Sequence, residues 1–238
     1  MTEIFWMWGI SAFLIVLLAG FLGTRTNLQG GSSVFGILID GRGRYSLTHL
    51  QLVMWSIIIF SLVSGVFWGR LIHGVDNPLS FTIPENVLGL VGISVGSALT
   101  AGVVKASKDS TENGAKVAAS GPIAGQGKQD QPRFSQIFML EEGENADRVI
   151  DVTKFQNFLI TLILAVAYIA LAINHISEAH NAGEVTSLPT FSGTFLILVG
   201  ISHAGYVGGK LANQTGTPPG LTVANRAAPP AGLEPRNS

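Results

Sequence analysis

The chain carries the same apolar unit twice, and this repetition limits its possible folds more than any other feature. A long apolar run begins after Ser46, and another begins after Asp151, 105 residues later. Each run is followed by a polar loop ending in a proline, Pro84 or Pro189, and then by a second apolar run containing the sequence Leu-Val-Gly-Ile-Ser. Because internal repeats mark repeated supersecondary units, the sequence predicts two copies of a helical pair preceded by one single helix.

Five apolar stretches have the length of a membrane span. A helix needs about 20 apolar residues to cross the hydrocarbon layer of a bilayer, and a backbone inside lipid must satisfy its own hydrogen bonds. Only 12% of the residues are charged, against about 25% in an average soluble domain. The sequence therefore predicts an all-α membrane protein with five transmembrane helices. The stretches are 4–22, 50–69, 87–104, 155–173 and 191–209.

The basic residues divide unevenly between the two predicted sides of the membrane. Thirteen of the 14 Lys and Arg residues fall on one side, and Arg70 alone falls on the other. Cytoplasmic loops collect Lys and Arg, so the N-terminus is predicted to lie outside and the C-terminus inside. The first apolar run lacks the preceding positive charge of a signal peptide, which favours a retained helix over a cleaved leader. The predicted location is a bacterial-type cytoplasmic membrane.

The same features divide the chain into five parts. Residues 1–24 form the N-terminal helix, and 25–104 and 133–211 form the two repeats, each with a cytoplasmic hairpin and two helices. Residues 105–132 are rich in Gly, Ala, Ser and charged residues, as is typical of a flexible linker. Residues 212–238 hold several prolines and few large apolar side chains, which predicts a disordered cytoplasmic tail.

Two segments before the second and fourth helices have the pattern of β-hairpins. In 34–46 and 136–151, apolar β-forming residues flank a polar turn that contains glycine, which predicts a small cytoplasmic β portion. One tip is basic and the other acidic. Two alternatives remain open: the tips pair with each other, or their charges are simply solvated. The residues expected to make the contacts are Arg42, Arg44, Glu141, Glu142, Glu144 and Asp147.

The third and fifth helices carry small residues at four-residue spacing. Such stripes let helices approach closely in lipid. His203 is the one ionisable side chain well inside an apolar run, and ionisable groups in membranes are functional candidates. The stripes therefore predict either helix packing, within or between chains, or the lining of a pore. The candidate residues are Gly92, Ser94, Gly96, Gly200, Ser202, His203, Ala204 and Gly208.

Motifs for enzymatic chemistry are scarce in this chain. It contains no cysteine, which excludes thiolate metal sites and cysteine nucleophiles. We therefore predict no catalytic residue, no metal, no cofactor and no nucleic-acid partner. The favoured function is a self-associating, multi-pass membrane scaffold or anchor, a homo-oligomer in the lipid bilayer whose hairpins dock a cytoplasmic protein. The alternative is a channel or transport subunit in which the third and fifth helices line the path.

Overall fold

The structure is a computed structural model that describes residues 2–25, 33–109, 132–142 and 145–211. Within these residues, five helices are long and apolar enough to cross a membrane. The helices are α1 (Thr2–Thr24), α2 (Leu47–Ile72), α3 (Glu85–Asp109), α4 (Val152–Glu178) and α5 (Gly193–Leu211). The prediction of a mostly helical chain with five apolar helices is confirmed. These five helices are compatible with a multi-pass membrane protein.

Helix α1 packs along α2 at two glycines of α2. A Cβ atom built on Gly65 would lie 2.7 Å from the Cα atom of Trp8, and one built on Gly69 would overlap the side chain of Ile4. The indole Nε1 of Trp8 also donates a hydrogen bond to Ser61 Oγ at 3.0 Å. This is the close backbone approach that small residues four apart permit. The sequence analysis expected it in α3 and α5 and did not identify it in α2.

The other four helices surround a filled core. Helix α2 packs against α3 and α4, and α5 packs against the same two helices. Trp55 of α2 and Tyr168 of α4 meet edge to face, with ring centroids 6.4 Å apart. Leu62 and Leu90 are fully buried beside them. Because large side chains occupy the centre, α2 to α5 form a packed bundle with α1 attached to one side.

The segments before α2 and α4 fold alike, but not into the predicted hairpins. Their apolar residues form short 3-10 turns, Gly36–Leu38 and Phe134–Phe138, instead of strands. A two-stranded hairpin alone is marginal in water, whereas a turn can bury its apolar side chains against the helices. Ile137, for example, is fully buried with Leu47 and Tyr206. A single antiparallel bridge closes each segment. The bridged pairs are Ile39 with Tyr45 and Met139 with Ile150.

Helices α2 and α4 start differently, although both follow a polar residue. Asp151 Oδ1 accepts hydrogen bonds from the backbone amides of Thr153 at 3.0 Å and Lys154 at 3.4 Å, which is the expected N-cap. Ser46 makes no such bond within the described residues. Its hydroxyl instead lies 2.9 Å from the hydroxyl of Thr48. The first turn of α2 therefore lacks the side-chain acceptor that α4 has.

The two loops at the opposite end of the bundle are joined to each other. Thr82 and Ser187 form a parallel bridge. The side chain of Arg70 is buried between the loops and donates hydrogen bonds to both of them. Its acceptors are the carbonyl oxygens of Gly183 (3.2 Å), Val185 (2.8 Å) and Asn77 (3.3 Å) and the hydroxyl of Ser80 (2.9 Å). The guanidinium of Arg70 and the bridge between Thr82 and Ser187 therefore hold this end together.

The predicted linker begins later than expected. Helix α3 continues to Asp109, so the first residues of the segment 105–132 are helical. The last turns of α3 bring Lys105 and Lys108 to carboxylates of the segments before α2 and α4, and these contacts hold the helix end. Most of that predicted linker, the tail 212–238 and Glu144 lie outside the described residues.

Candidate functional site at the charged end of the bundle

Ionised side chains gather where α2 and α4 begin and α3 and α5 end, which we call the charged end. They come from the two segments that precede α2 and α4 and from the terminal turns of three helices. The carboxylates are Asp40, Asp109, Glu141, Glu142 and Asp147. The cations are Arg42, Arg44, Lys105, Lys108, Lys154 and Lys210. Within the described residues, Arg44 and Asp147 pair with each other, and the other nine residues form a continuous ion-pair network across the end of the bundle.

Glu141 is the centre of this network. It is only 8% exposed, and its carboxylate contacts cations from four different parts of the fold. Its partners are Lys210 of α5 at 2.6 Å, Lys154 of α4 at 2.7 Å, Lys105 of α3 at 3.1 Å and Arg42 of the segment before α2 at 3.7 Å. One carboxylate therefore links three helices and the first of the two segments.

The surrounding charges keep Glu141 ionised. Burial alone would raise the pKa of its carboxyl group, but the nearby ammonium groups of Lys210, Lys154 and Lys105 hold that pKa well below its usual range. Asp40 follows the same pattern, since burial opposes ionisation while the charge of Lys105 lowers its pKa. A buried carboxylate is tolerated only when it is paired and hydrogen-bonded, and both groups meet this condition.

Arg42 makes the most directional contacts in the network. Its Nε and Nη2 atoms donate to the two carboxylate oxygens of Asp109 at 3.0 and 2.9 Å. Its Nη1 atom lies 3.3 Å from Glu142 Oε1, and Lys108 Nζ lies 2.8 Å from the other oxygen of Glu142. Burial lowers the pKa of Arg42, but the hydrogen bonds and charge of Asp109 outweigh it and raise that pKa. The two-pronged pairing is the geometry that a guanidinium provides and an ammonium does not.

The predicted contacts between the basic and acidic tips can now be placed. Arg42 lies against Glu141 and Glu142, and Arg44 pairs with Asp147. The sequence analysis missed the lysines of the network because it used them only to assign the sides of the membrane. Their position in terminal helical turns was a usable signal, but their carboxylate partners are distant in sequence. The missed members are Asp40, Lys105, Lys108, Asp109, Lys154 and Lys210.

A cleft of about 380 Å³ opens beside the network, between the first turn of α2 and the last turns of α3. Small side chains on α3 make room for it. These are Ala98, Ala101, Gly102 and Ala106. The polar residues that line it are Asp40, Arg42, Ser46, Thr48, His49, Lys105 and Asp109. The cleft therefore presents charges of both signs and the start of a helix to whatever enters it.

Polar side chains also occupy the interior of the bundle. Gln51 Nε2 donates hydrogen bonds to Asn157 Oδ1 at 3.0 Å and Thr161 Oγ1 at 2.7 Å, and Ser202 Oγ donates to the same oxygen of Asn157 at 3.2 Å. His203 is buried, and neither of its ring nitrogens has a partner in the part of the chain that the structure describes. The hydroxyls of Ser94 and Ser97 are buried without a partner there too.

The predicted small-residue stripes meet different surroundings. A Cβ atom on Gly92, Gly96 or Gly208 would have no described atom within 4 Å, and one on Gly200 would touch Ile93 at 3.8 Å. Ala204 is exposed as well. The close contact between α3 and α5 is made instead by Gly89, whose Cβ would lie 3.0 Å from Leu196. Gly92, Gly96, Ala204 and Gly208 therefore face outward from the single chain, whereas Ser94, Ser202 and His203 face its interior.

Among the described residues, no group of three His, Asp or Glu side chains could hold a metal ion. Comparison of the chain with protein-family models, with curated proteins and with solved structures finds no match.

Proposed function

We propose that this chain is an integral membrane scaffold or anchor that associates with copies of itself. In this proposal it has no enzymatic activity, and its charged end faces the cytoplasm of a bacterial-type cell. The orientation is supported by the 13-to-1 division of Lys and Arg. An alternative from another class, a channel or transport subunit, is treated below.

The observation that carries the proposal is the open small-residue face of α3 and α5. Gly92 and Gly96 of α3 and Gly208 of α5 have space for a side chain, with no described atom of the chain nearby. Lipid gives apolar helices little reason to associate, so close backbone approach at small residues is a main source of helix affinity. A face of this kind on an otherwise packed bundle supports contact with a second copy.

The fixed ends of the bundle support a structural role. Glu141 links helices α3, α4 and α5 at the charged end, and Arg70 links the loops at the other end. Alternating-access transport requires parts of a protein to rock against each other. Polar connections at both ends oppose such movement, so they favour a rigid scaffold over a transporter.

We also propose that α2–α3 and α4–α5 are tandem copies that lie side by side. Equivalent helices are neighbours, since α2 packs on α4 and α3 packs on α5. Thr82 and Ser187, which bridge the loops, are 105 residues apart, the same offset as the repeat. Asn86 Nδ2 donates to the carbonyl oxygen of Phe191, again 105 residues away, at 2.7 Å. These contacts support an arrangement in which the two proposed units stack side by side.

A cytoplasmic protein partner remains part of the proposal, but its contact surface differs from the predicted one. Arg42, Glu141 and Glu142 are buried and paired within the chain. A partner would therefore contact residues around these charges and leave the ion pairs intact.

The test of self-association is the mass of the purified protein in detergent, measured by light scattering. We expect the unmodified chain to form a dimer or a larger oligomer. Gly96→Leu should shift it toward the monomer without preventing folding, since a Cβ atom at this position has no described atom within 4 Å. Gly9→Leu is the matched control, because Gly9 on α1 has equally open surroundings. A monomeric parent protein, or equal effects of both substitutions, would contradict the proposal.

The channel alternative rests on the polar groups between α3 and α5. His203, Ser94 and Ser97 are buried, yet they lack partners among the described residues, and buried polar atoms without partners call for water or a ligand. Ion flux into reconstituted liposomes separates the two functions. We expect flux no greater than that of empty liposomes. A protein-dependent conductance that His203→Leu abolishes would contradict the scaffold function and support the channel function.

A further inference from the structure

We propose that the bundle of α2 to α5 binds a small group of water molecules in its interior, at the level of Asn157 and His203. The waters complete the hydrogen bonds of a polar layer to which each of the four helices contributes. Apolar side chains close this layer on both sides, so it is an enclosed binding site and not part of a path across the membrane. Its occupancy does not depend on self-association.

The polar layer is built on hydrogen bonds that join α2, α4 and α5. Gln51 Nε2 donates to Asn157 Oδ1 and Thr161 Oγ1, and Ser202 Oγ donates to the same oxygen of Asn157. Thr161 in turn donates to the carbonyl oxygen of Asn157 at 2.8 Å. These bonds use one end of each amide. The other ends, Gln51 Oε1 and Asn157 Nδ2, are buried and have no partner among the described residues.

Helices α3 and α5 bring two more polar side chains to the same level. The two helices run in parallel, because both end at the charged end, and a Cβ atom on Gly200 would touch the side chain of Ile93 at 3.8 Å. One turn further along both helices, this register brings His203 of α5 to the level of Ser97 of α3. Their exposed fractions are 3% and 6%. Both ring nitrogens of His203 and the hydroxyl of Ser97 lack partners in the described chain.

The unpaired atoms of the layer require a ligand that both donates and accepts hydrogen bonds. Gln51 Oε1 only accepts, Asn157 Nδ2 only donates, and a neutral imidazole does one with each of its nitrogens. A cation would face the amide protons of Asn157, and an anion would face the carbonyl oxygen of Gln51, whereas water satisfies both. A buried water makes about three hydrogen bonds, so about two molecules would serve these atoms. The unpaired atoms are Gln51 Oε1, Ser94 Oγ, Ser97 Oγ, Asn157 Nδ2, His203 Nδ1 and His203 Nε2.

Apolar side chains close the layer toward both ends of the bundle. Toward the charged end, Leu47, Ile137 and the ring of Tyr206 pack together and are almost fully buried. On the opposite side, buried apolar residues follow one turn from the polar ones on α3, α4 and α5. These are Leu90, Leu164 and Val199. A channel would need an opening through one of these apolar layers, so the packing favours waters that are held in place over waters that pass through.

The first experiment is solid-state NMR of the full chain in liposomes, with magnetisation transferred from water to the protein. We expect transfer to the ring of His203 and to the side-chain amide of Asn157, although both side chains are buried. Leu62, which is fully buried in the apolar core, should receive little and is the internal control. His203→Phe identifies the signals of this ring by their loss. Absence of transfer to His203, or equal transfer to Leu62, would overturn the proposal.

The sign of a stability change tests the same site independently. Ser97→Ala removes one hydroxyl from the layer. A hydroxyl bonded to water loses that hydrogen bond in the variant, so we expect the melting temperature to fall by about 2–4 °C. A dry hydroxyl is an unsatisfied buried group, and its removal would raise the melting temperature instead. Ser107→Ala, at an exposed position of the same helix, is the matched control. An equal or higher melting temperature than that of the control would contradict the proposal.

The enclosure is tested by the shrinkage of liposomes after an osmotic step. We expect liposomes that contain the protein to lose water no faster than liposomes without it, because the apolar layers separate the site from both surfaces. A protein-dependent increase in water permeability would show that the waters belong to a path, and the enclosed site would be wrong. These measurements do not report oligomer mass, so their failure would leave the proposed self-association to its own test.

Discussion

Replacing Glu141 with glutamine tests how much the ion-pair network contributes to the fold. The substitution keeps the size of the side chain and removes the one charge shared by Lys210, Lys154, Lys105 and Arg42. The substitution would affect the four cations to different extents. Lys105 retains the carboxylate of Asp40, and Arg42 retains two other carboxylates. Two lysines lose the carboxylate that neutralises them.

The expected loss follows from those two lysines. Lys154 still donates to the carbonyl oxygen of Met139 at 2.7 Å, and Lys210 still lies 5.0 Å from the ring centre of Tyr206, but neither contact neutralises a charge. Removing one partner of a buried ion pair costs about 3–5 kcal/mol. We therefore expect Glu141→Gln to lower the free energy of unfolding by about this amount. For a chain of this size, the melting temperature should fall by about 10 °C.

The measurement is thermal unfolding of the purified protein in detergent, followed by tryptophan fluorescence. Asp147→Asn is the matched control. Asp147 contacts a single cation, Arg44, among the described residues, and its side chain is 27% exposed against 10% for Glu141, so its substitution should lower the stability less. If the two substitutions lower the melting temperature equally, the reasoning is wrong, because Glu141 would then contribute no more to stability than Asp147.

The pH dependence of the same experiment has a definite sign. The folded-state pKa of Glu141 is held well below its usual range, so its carboxylate stabilises the fold above the unfolded pKa and stops doing so as the pH falls through the folded pKa. The stability difference between the parent and Glu141→Gln should be fully present at about pH 6 and should shrink below about pH 4. A difference that grew on acidification would contradict the assignment.

Three further predictions concern other parts of the chain. Gly65→Leu should separate α1 from α2, because a side chain there meets the backbone of Trp8, and protease sensitivity near the N-terminus would report it. Asp151→Ala should lower the free energy of unfolding by about 1 kcal/mol in chemical unfolding, whereas Ser46→Ala, which loses no cap bond, should change it far less. Asp76→Cys should react with a membrane-impermeant thiol reagent on intact cells if the charged end is cytoplasmic, and an unreactive thiol would reverse the orientation.

The number and position of the helices could be predicted from the sequence because each apolar run is long and nearly free of charge. The two hairpins could not. Their β-forming residues favour strands locally, but Ile137 gains more burial in a turn against Leu47 and Tyr206 than a lone hairpin would give it. Tertiary packing decided between two conformations that local pattern does not separate.

The packing partners of the helices could not be predicted from the sequence either. Gly65 and Gly69 have the same four-residue spacing as Gly92 and Gly96, yet only the first pair faces another helix of the chain. Spacing identifies a face that permits close approach, but the partner depends on how the helices are arranged. The contact between Glu141 and Lys210 joins residues 69 positions apart, and no local pattern indicates such a pair.

The central place of Glu141 also has a consequence for the order in which the protein is completed. A ribosome makes Arg42 and Lys105 before Glu141, and it makes Lys154 and Lys210 afterwards. Glu141 therefore gains its last cation only when α5 has been synthesised and has packed beside α4. A nascent chain that stops after α4 would hold a carboxylate with one partner missing, and its charged end would remain open to water and to proteases. Packing of the last helix closes this end. The complete chain should therefore resist proteases at the charged end much better than a chain that lacks α5.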